Sequence, residues 1–159
     1  MTEITDVVEF RLGSGHYALD IQLAREIVEM IPITPLPRSP AYIQGIINLR
    51  GEITNIINLN ILLGLADGEV IANRKIIVLV PEAAGGSNVG IIVDDVSSVR
   101  QVAGQDVDTM DSAVSASGYI KGIIKQGAEA EADDRNADRN NLTVWLDVRR
   151  LLQEQVMNT

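Results

Sequence analysis

The sequence has no cysteine and only one histidine, one tryptophan and one phenylalanine in 159 residues. Without cysteine the chain forms neither a disulfide nor a thiolate metal site, which fits a reducing cytoplasm. With one histidine, neither a His–Cys pair nor a two-histidine metal site can be built within it. No apolar run approaches the roughly 20 residues needed to cross a bilayer. The opening Met1-Thr2-Glu3-Ile4-Thr5-Asp6 lacks a positive segment and an apolar segment, so no signal peptide is expected. Basic residues are outnumbered, 13 against 22 acidic, for a net charge of −9. Nucleic acid and anionic membrane both require a basic face, so neither is an expected partner. The phosphate-cradling patterns G-x-x-x-x-G-K-[ST] and G-x-G-x-x-G are also missing.

What the chain does have is isoleucine and valine, twenty and sixteen of them. Such β-branched residues favour strands. At roughly 150 residues per domain, the length suggests one compact unit, divided at most into two small lobes. Val7–Leu12 and Tyr17–Ile21 flank Gly13-Ser14-Gly15 and read as a hairpin. Residues 25–31 read as a strand. Pro32, Pro35, Pro37 and Pro40 then enforce an extended segment that is neither helix nor central strand. Residues 43–49 and 52–59 form two strands joined at Arg50-Gly51, where Gly51 supplies a positive φ. Ile61–Leu65 makes a helical turn or two, stopped by Gly64 and Gly68.

Lys75–Val80 is a continuous apolar strand, and Val89–Val96 completes a further hairpin with it. Residues 103–118 are polar and irregular. Tyr119–Lys125 and Leu142–Leu146 are strands. Between them, 128–141 carries no core-sized apolar side chain and reads as an acidic solvated loop. Asp147 caps a short final helix with Leu151 and Leu152 at helical spacing. Nine or ten short strands with little helix imply a mostly β fold that closes into small barrels or a sandwich.

The chemistry-bearing residues are few. His16 stands beside a turn and reads as an exposed histidine. Asp94-Asp95 invites a catalytic carboxylate pair, but neighbours on a strand point to opposite faces. Asp133-Asp134 falls in the polar loop, and Asn141-Leu142-Thr143 is a glycosylation pattern without a secretion signal. Glu26 on a strand and Arg50 at a hairpin tip have two readings. Either both are merely solvated, or they form a pinned Arg–carboxylate pair that shapes a partner surface. A ligand-binding or enzymatic barrel would need convergent polar groups in an apolar pocket.

Ile47-Asn48-Leu49-Arg50-Gly51-Glu52 resembles the N-L-R-G hairpin of the CheW family, the adaptors of bacterial and archaeal chemosensory arrays. Tyr17–Ile21 with Arg25–Val28 resembles the family's early strands, and Ile33–Pro37 its proline stretch. Gly90–Val96 resembles its G-hydrophobic-V-D-x-V segment. Tyr119–Gly122 and Trp145–Val148 with Leu151-Leu152 resemble its ending. The likeness runs in unbroken order across about residues 6–153.

That resemblance implies two five-stranded SH3-like barrels packed together in one domain, with a short central helix and a C-terminal helix. It implies no enzymatic activity and no cofactor or metal. The implied partners are the regulatory domain of a CheA-type histidine kinase and the cytoplasmic tip of a methyl-accepting chemoreceptor. The implied place is the cytoplasm, at membrane-associated receptor arrays, with no insertion into the membrane. By residue match, Ala24, Glu26, Val28 and Arg50 lie at the kinase contact, with Glu26 and Arg50 as a charge pair. Gly45, Asn48, Leu49 and Gly51 shape the hairpin, and Asp94 and Val96 lie near the receptor groove between the barrels. Asn58 departs from the family pattern, which often has aspartate there, and the 128–141 loop looks longer than usual. An array controlling surface motility or gene expression, rather than swimming, is an equally consistent setting.

Overall fold

Two of the most apolar stretches, Lys75–Val80 and Val89–Val93, show no alternation because both faces of their strands are buried. The computed structural model describes residues 4–13, 15–65, 74–108, 119–125 and 142–155. The expected stop at Gly68, the 128–141 loop, Asp133-Asp134 and Asn141 lie outside these residues. So does most of the irregular stretch expected over 103–118.

β1 (Ile4–Leu12) and β2 (Gly15–Asp20) form the first hairpin, and β3 (Ala24–Glu29) follows a short 3-10 turn. β4 (Ile43–Leu49) and β5 (Glu52–Asn58) form the second hairpin and run into α1 (Leu59–Leu62). β6 (Lys75–Leu79) pairs antiparallel with β7 (Val89–Val93), and β8 (Asp95–Ala103) comes next. β9 (Val107–Asp108), β10 (Ile120–Lys125), β11 (Leu142–Leu146) and α2 (Val148–Gln155) complete the described chain.

The strands make two sheets. One has the order β8-β1-β2-β11-β10-β9 and the other β3-β6-β7-β5-β4. The first therefore joins the two ends of the described chain, through a parallel β2–β11 pairing, and the second is built from its middle. Five strands per barrel are expected. The middle sheet has five, and the terminal sheet has six because the two-residue β9 adds to five longer strands.

Alternation along each strand sends side chains into different cores. Ile77 and Leu79 of β6, and Ile91 and Val93 of β7, join Phe10, Leu19, Leu146 and Leu151 in a core shared by both sheets. Their neighbours Ile76, Val78 and Ile92 join Ile47 and Ile56 in a separate core, against which Val28 packs. On the terminal sheet, Val7, Ala18, Val102, Ile124 and Trp145 make a third. These last five come from β1, β2, β8, β10 and β11. In a flat sheet β8 and β10 would be four spacings apart, about 19 Å. Side chains from both reach one cluster because the sheet curls on itself. The middle sheet does the same, bringing Val28 of β3 and Ile47 of β4 to one core. Each sheet is thus an SH3-like barrel with its own interior, and the two barrels share an apolar seam covered by α2.

β8 is a strand that the sequence pattern does not announce. Its run Ser97-Ser98-Val99-Arg100-Gln101 lies at the edge of its sheet, where Val102 is the one fully buried apolar side chain. Asp94 occupies a bend between β7 and β8, so strand alternation does not govern Asp94-Asp95. Asp147 caps α2 as expected: its Oδ1 accepts from the Arg150 N–H at 3.1 Å.

Candidate protein-interaction site

The β4–β5 turn sets the geometry at one end of the middle barrel. Leu49 pairs with Glu52, leaving Arg50 and Gly51 as the two turn residues. Their φ values are 52° and 89°. Two positive φ angles in succession match the twist of the flanking strands. Glycine adopts this freely, whereas arginine does so at a cost of about 1–2 kcal/mol. Asn48 helps to hold it: the Gly51 N–H donates to Asn48 Oδ1 at 2.8 Å. Leu49 is anchored by partial burial against the middle barrel's core.

From this tip Arg50 Nη2 donates to Glu26 Oε2 on β3. Its guanidinium is 62% exposed and the glutamate side chain 25%, so the pair is presented to solvent. Next to it, Arg25 of β3 and Glu52 of β5 form a second ion pair at 3.5 Å. Glu26 and Arg50 are therefore paired with each other as well as exposed to solvent.

The remaining expected residues are placed as follows. Gly45 sits at a register shift between β4 and β5, with φ +144°. A Cβ there would lie 2.2 Å from the Thr34 carbonyl oxygen. The bare backbone lets the proline segment cross β4, where Thr34 and Ile46 exchange two hydrogen bonds of 2.9 Å. A register shift also separates Ala24 from Glu26. Ala24 packs on the shared core and Val28 on the middle barrel's core, both half-buried. The outward residues of β3 are Arg25, Ile27 and Glu29.

Asp94 is 2% exposed. Its Oδ2 accepts from the Gly13 N–H at 2.5 Å, and its Oδ1 from Arg74 Nε at 3.2 Å. Val96 packs against the shared core.

Several functional-looking contacts are invisible to sequence reasoning. Arg100 on β8 donates to Glu9 at 2.8 Å and to the Lys125 carbonyl at 3.0 Å, fastening one edge of the terminal barrel to β10. Asp20 accepts from Trp145 Nε1 at 2.6 Å and from Lys121 at 3.0 Å, while Lys121 lies 4.7 Å above the indole ring. These partners are far apart in the chain. For the pairs at the β4–β5 tip the one readable trace is the repeated cation-then-anion order of Arg25-Glu26 and Arg50-Gly51-Glu52.

Two cavities are mainly apolar, and a third, of about 220 Å³, is lined by the charged side chains of Asp20, Lys121, Asp147 and Arg149. One of about 220 Å³, between the middle sheet and α2, is lined by Ile43, Asn55, Ile57, Ala84, Ser87, Val89 and Leu152, with no titratable group. Another of about 270 Å³, at the mouth of the terminal barrel, has Lys121 as its one charged wall, and that ammonium is held by Asp20. His16 is exposed on β2. Burial raises the Tyr17 phenol above its usual value of 10.0. Among the described residues no cluster of three His, Asp or Glu is placed to hold a metal, and no helix is long and apolar enough to cross a membrane.

Residues 6–156 match the CheW-like domain family. The chain belongs to it. A chemotaxis protein CheW from Treponema pallidum is 35% identical over 76% of this chain and 73% of its own length. The Thermotoga maritima chemotaxis protein CheW is 26% identical over 94% of this chain and 88% of its own. The crystal structure of the scaffolding protein TtCheW from Thermoanaerobacter tengcongensis superposes with a TM-score of 0.76 at 25% identity, covering 94% of this chain and 88% of that one. Within this CheW-like domain Asn58 has two local roles, and one of them, donation from its Nδ2 to Gln44 Oε1 at 3.3 Å, is one that an aspartate could not fill. Asn58 is the N-cap of α1, its Oδ1 accepting from the Ile61 N–H at 3.3 Å. Asparagine and aspartate cap equally well.

Proposed function

We propose that the chain is a chemotaxis adaptor, coupling the cytoplasmic tips of methyl-accepting chemoreceptors to a CheA-type histidine kinase in the cytoplasm at receptor arrays. It works by protein–protein contact, without catalysis or cofactor. Residues 6–153 act as one domain of two barrel lobes. The observation that carries this reading is the exposed, pre-set Arg50–Glu26 pair at the end of the middle barrel. A charge fork fixed before encounter costs little ordering on binding. Ala24, Glu26, Val28 and Arg50 form or support the contact with the kinase's regulatory domain. Gly45, Asn48, Leu49 and Gly51 hold the tip that presents it.

Asp94 and Val96 face inward, so they shape the receptor groove by fixing the crossing between the barrels rather than by touching the receptor. A ligand-binding or enzymatic barrel is disfavoured because, in the cavity that gathers several charged groups, Asp20 and Lys121 pair with each other and Asp147 caps α2.

The test is capture of purified kinase regulatory domain, with kinase activity measured in the presence of a receptor fragment. Wild-type protein should bind and raise activity. Arg50→Glu should weaken both at least tenfold with unchanged circular dichroism. Failure of the wild type to bind either partner would refute the proposal, and unchanged activation by Arg50→Glu would remove Arg50 from it.

A further inference from the structure

We infer that Arg25 and Glu52 are positioning residues for Arg50, forming the second half of a crossed charge seam that closes the middle barrel and fixes its binding tip. β3 and β4 are the outer strands of their sheet, and among the described residues no backbone ladder joins them. The Thr34–Ile46 bridge ties the segment after β3 to β4, away from the tip. At the tip itself side chains take over. β3 offers a cation at Arg25 and an anion at Glu26, and the hairpin offers a cation at Arg50 and an anion at Glu52. The observed pairs are Arg50 with Glu26 and Arg25 with Glu52.

This arrangement specifies a register. Sliding the hairpin along β3 so that Arg50 faces Arg25 would bring like charges together, as would Glu52 against Glu26. Like-charge facing is unfavourable by about as much as the correct pairing is favourable. Arg25 and Glu52 are 42% and 55% exposed in their side chains, so their pairing adds little to global stability. Its consequence is orientational. With Glu52 held by Arg25, the residue before it in the turn, Gly51, stays on Asn48, and Arg50 keeps the left-handed backbone that points its guanidinium at Glu26. Asn48 acts on the turn from one strand and Arg25 from across the seam.

The inference rests on the adaptor reading only for the use made of the tip. Its test therefore reads the tip directly, by nuclear magnetic resonance on the full chain. Arg25→Glu and Glu52→Arg should each speed exchange of the Gly51 amide about two- to fivefold, the range that exposed ion pairs support. Each should also shift the Arg50 Hε resonance. The double charge swap should return both signals toward wild type. A merely structural role would move the melting temperature without this reciprocal rescue. Unchanged exchange in both single variants would overturn the inference, as would a double variant whose losses simply add. If a single variant unfolds, the double variant decides by refolding or not. Capture of the kinase domain is measured in parallel. A wild type that captures nothing refutes the adaptor reading and leaves the exchange result to judge the seam.

Discussion

Replacing Asp94 separates an architectural role from a contact role. The chain passes from the middle barrel to the terminal barrel at this residue, and both its backbone and side chain grip the β1–β2 turn. The Asp94 N–H donates to the Arg11 carbonyl at 2.9 Å, and its carboxylate accepts from the Gly13 N–H and from Arg74. The carboxylate side chain is 3% exposed and that of Arg74 17%. Removing one partner of a buried pair costs about 3–5 kcal/mol, because the other charge is left in a poor solvent. Arg74 retains some access to water, so Asp94→Ala should cost about 2–4 kcal/mol. For a domain of this length that lowers the melting temperature on the order of 10 °C. Asp94→Asn keeps an oxygen for Gly13 and should cost about half as much. Urea unfolding followed by circular dichroism and by Trp145 fluorescence measures both. A loss below about 1 kcal/mol for the alanine variant would refute the clamp. Loss of receptor binding by Asp94→Asn at an unchanged urea midpoint would make Asp94 a contact residue instead.

Gly45→Ala should be among the most damaging small substitutions. Its Cβ meets the Thr34 carbonyl at 2.2 Å and its φ is +144°, so overpacking and backbone strain add to more than about 2 kcal/mol. A wild-type urea midpoint would show that the proline segment does not cross there. Tyr17 predicts an alkaline limit. Burial raises its folded pKa above the unfolded value near 10, so stability is flat below that value. Above pH 10 the unfolded chain loses the proton first and is favoured, by up to about 1.4 kcal/mol per pH unit. Thermal melts from pH 8 to 11 should show Tyr17→Phe falling less steeply than wild type, and parallel slopes would contradict this.

The strands of the middle barrel were legible because their runs are rich in β-branched residues, with glycine or proline close after β3, β4 and β6, and the N-L-R-G tip because two-residue turns have narrow chemistry. β8 was not legible. An edge strand buries one face at most, and its serines, arginine and glutamine satisfy that role without any apolar period. The same limit hid the ion pairs. Arg100 meets Glu9 across 91 positions of sequence, and nothing local to either residue records the encounter. Asp94 was visible as a motif residue, but its burial depends on a bend that only the crossing between barrels creates.

These illegible contacts share a physical reason, and it bears on how an adaptor recognises partners. β6 and β7 are buried on both faces and edge strands such as β3 and β8 on one, so the interior is a repeated pattern of isoleucine and valine that many sequences could supply. What remains for specific encoding is the rim. Curling a sheet brings its two sides together, and here arginines hold them: Arg25 and Arg50 on the middle barrel, and Arg100, which donates from β8 to the Lys125 carbonyl on β10, on the terminal one. A guanidinium that closes a barrel is by necessity at its end, partly exposed and already oriented. The groups that complete the fold are therefore also the groups a partner meets first. On that argument charge substitutions at the rim should change binding more than stability, whereas changes to the isoleucine interior should do the reverse.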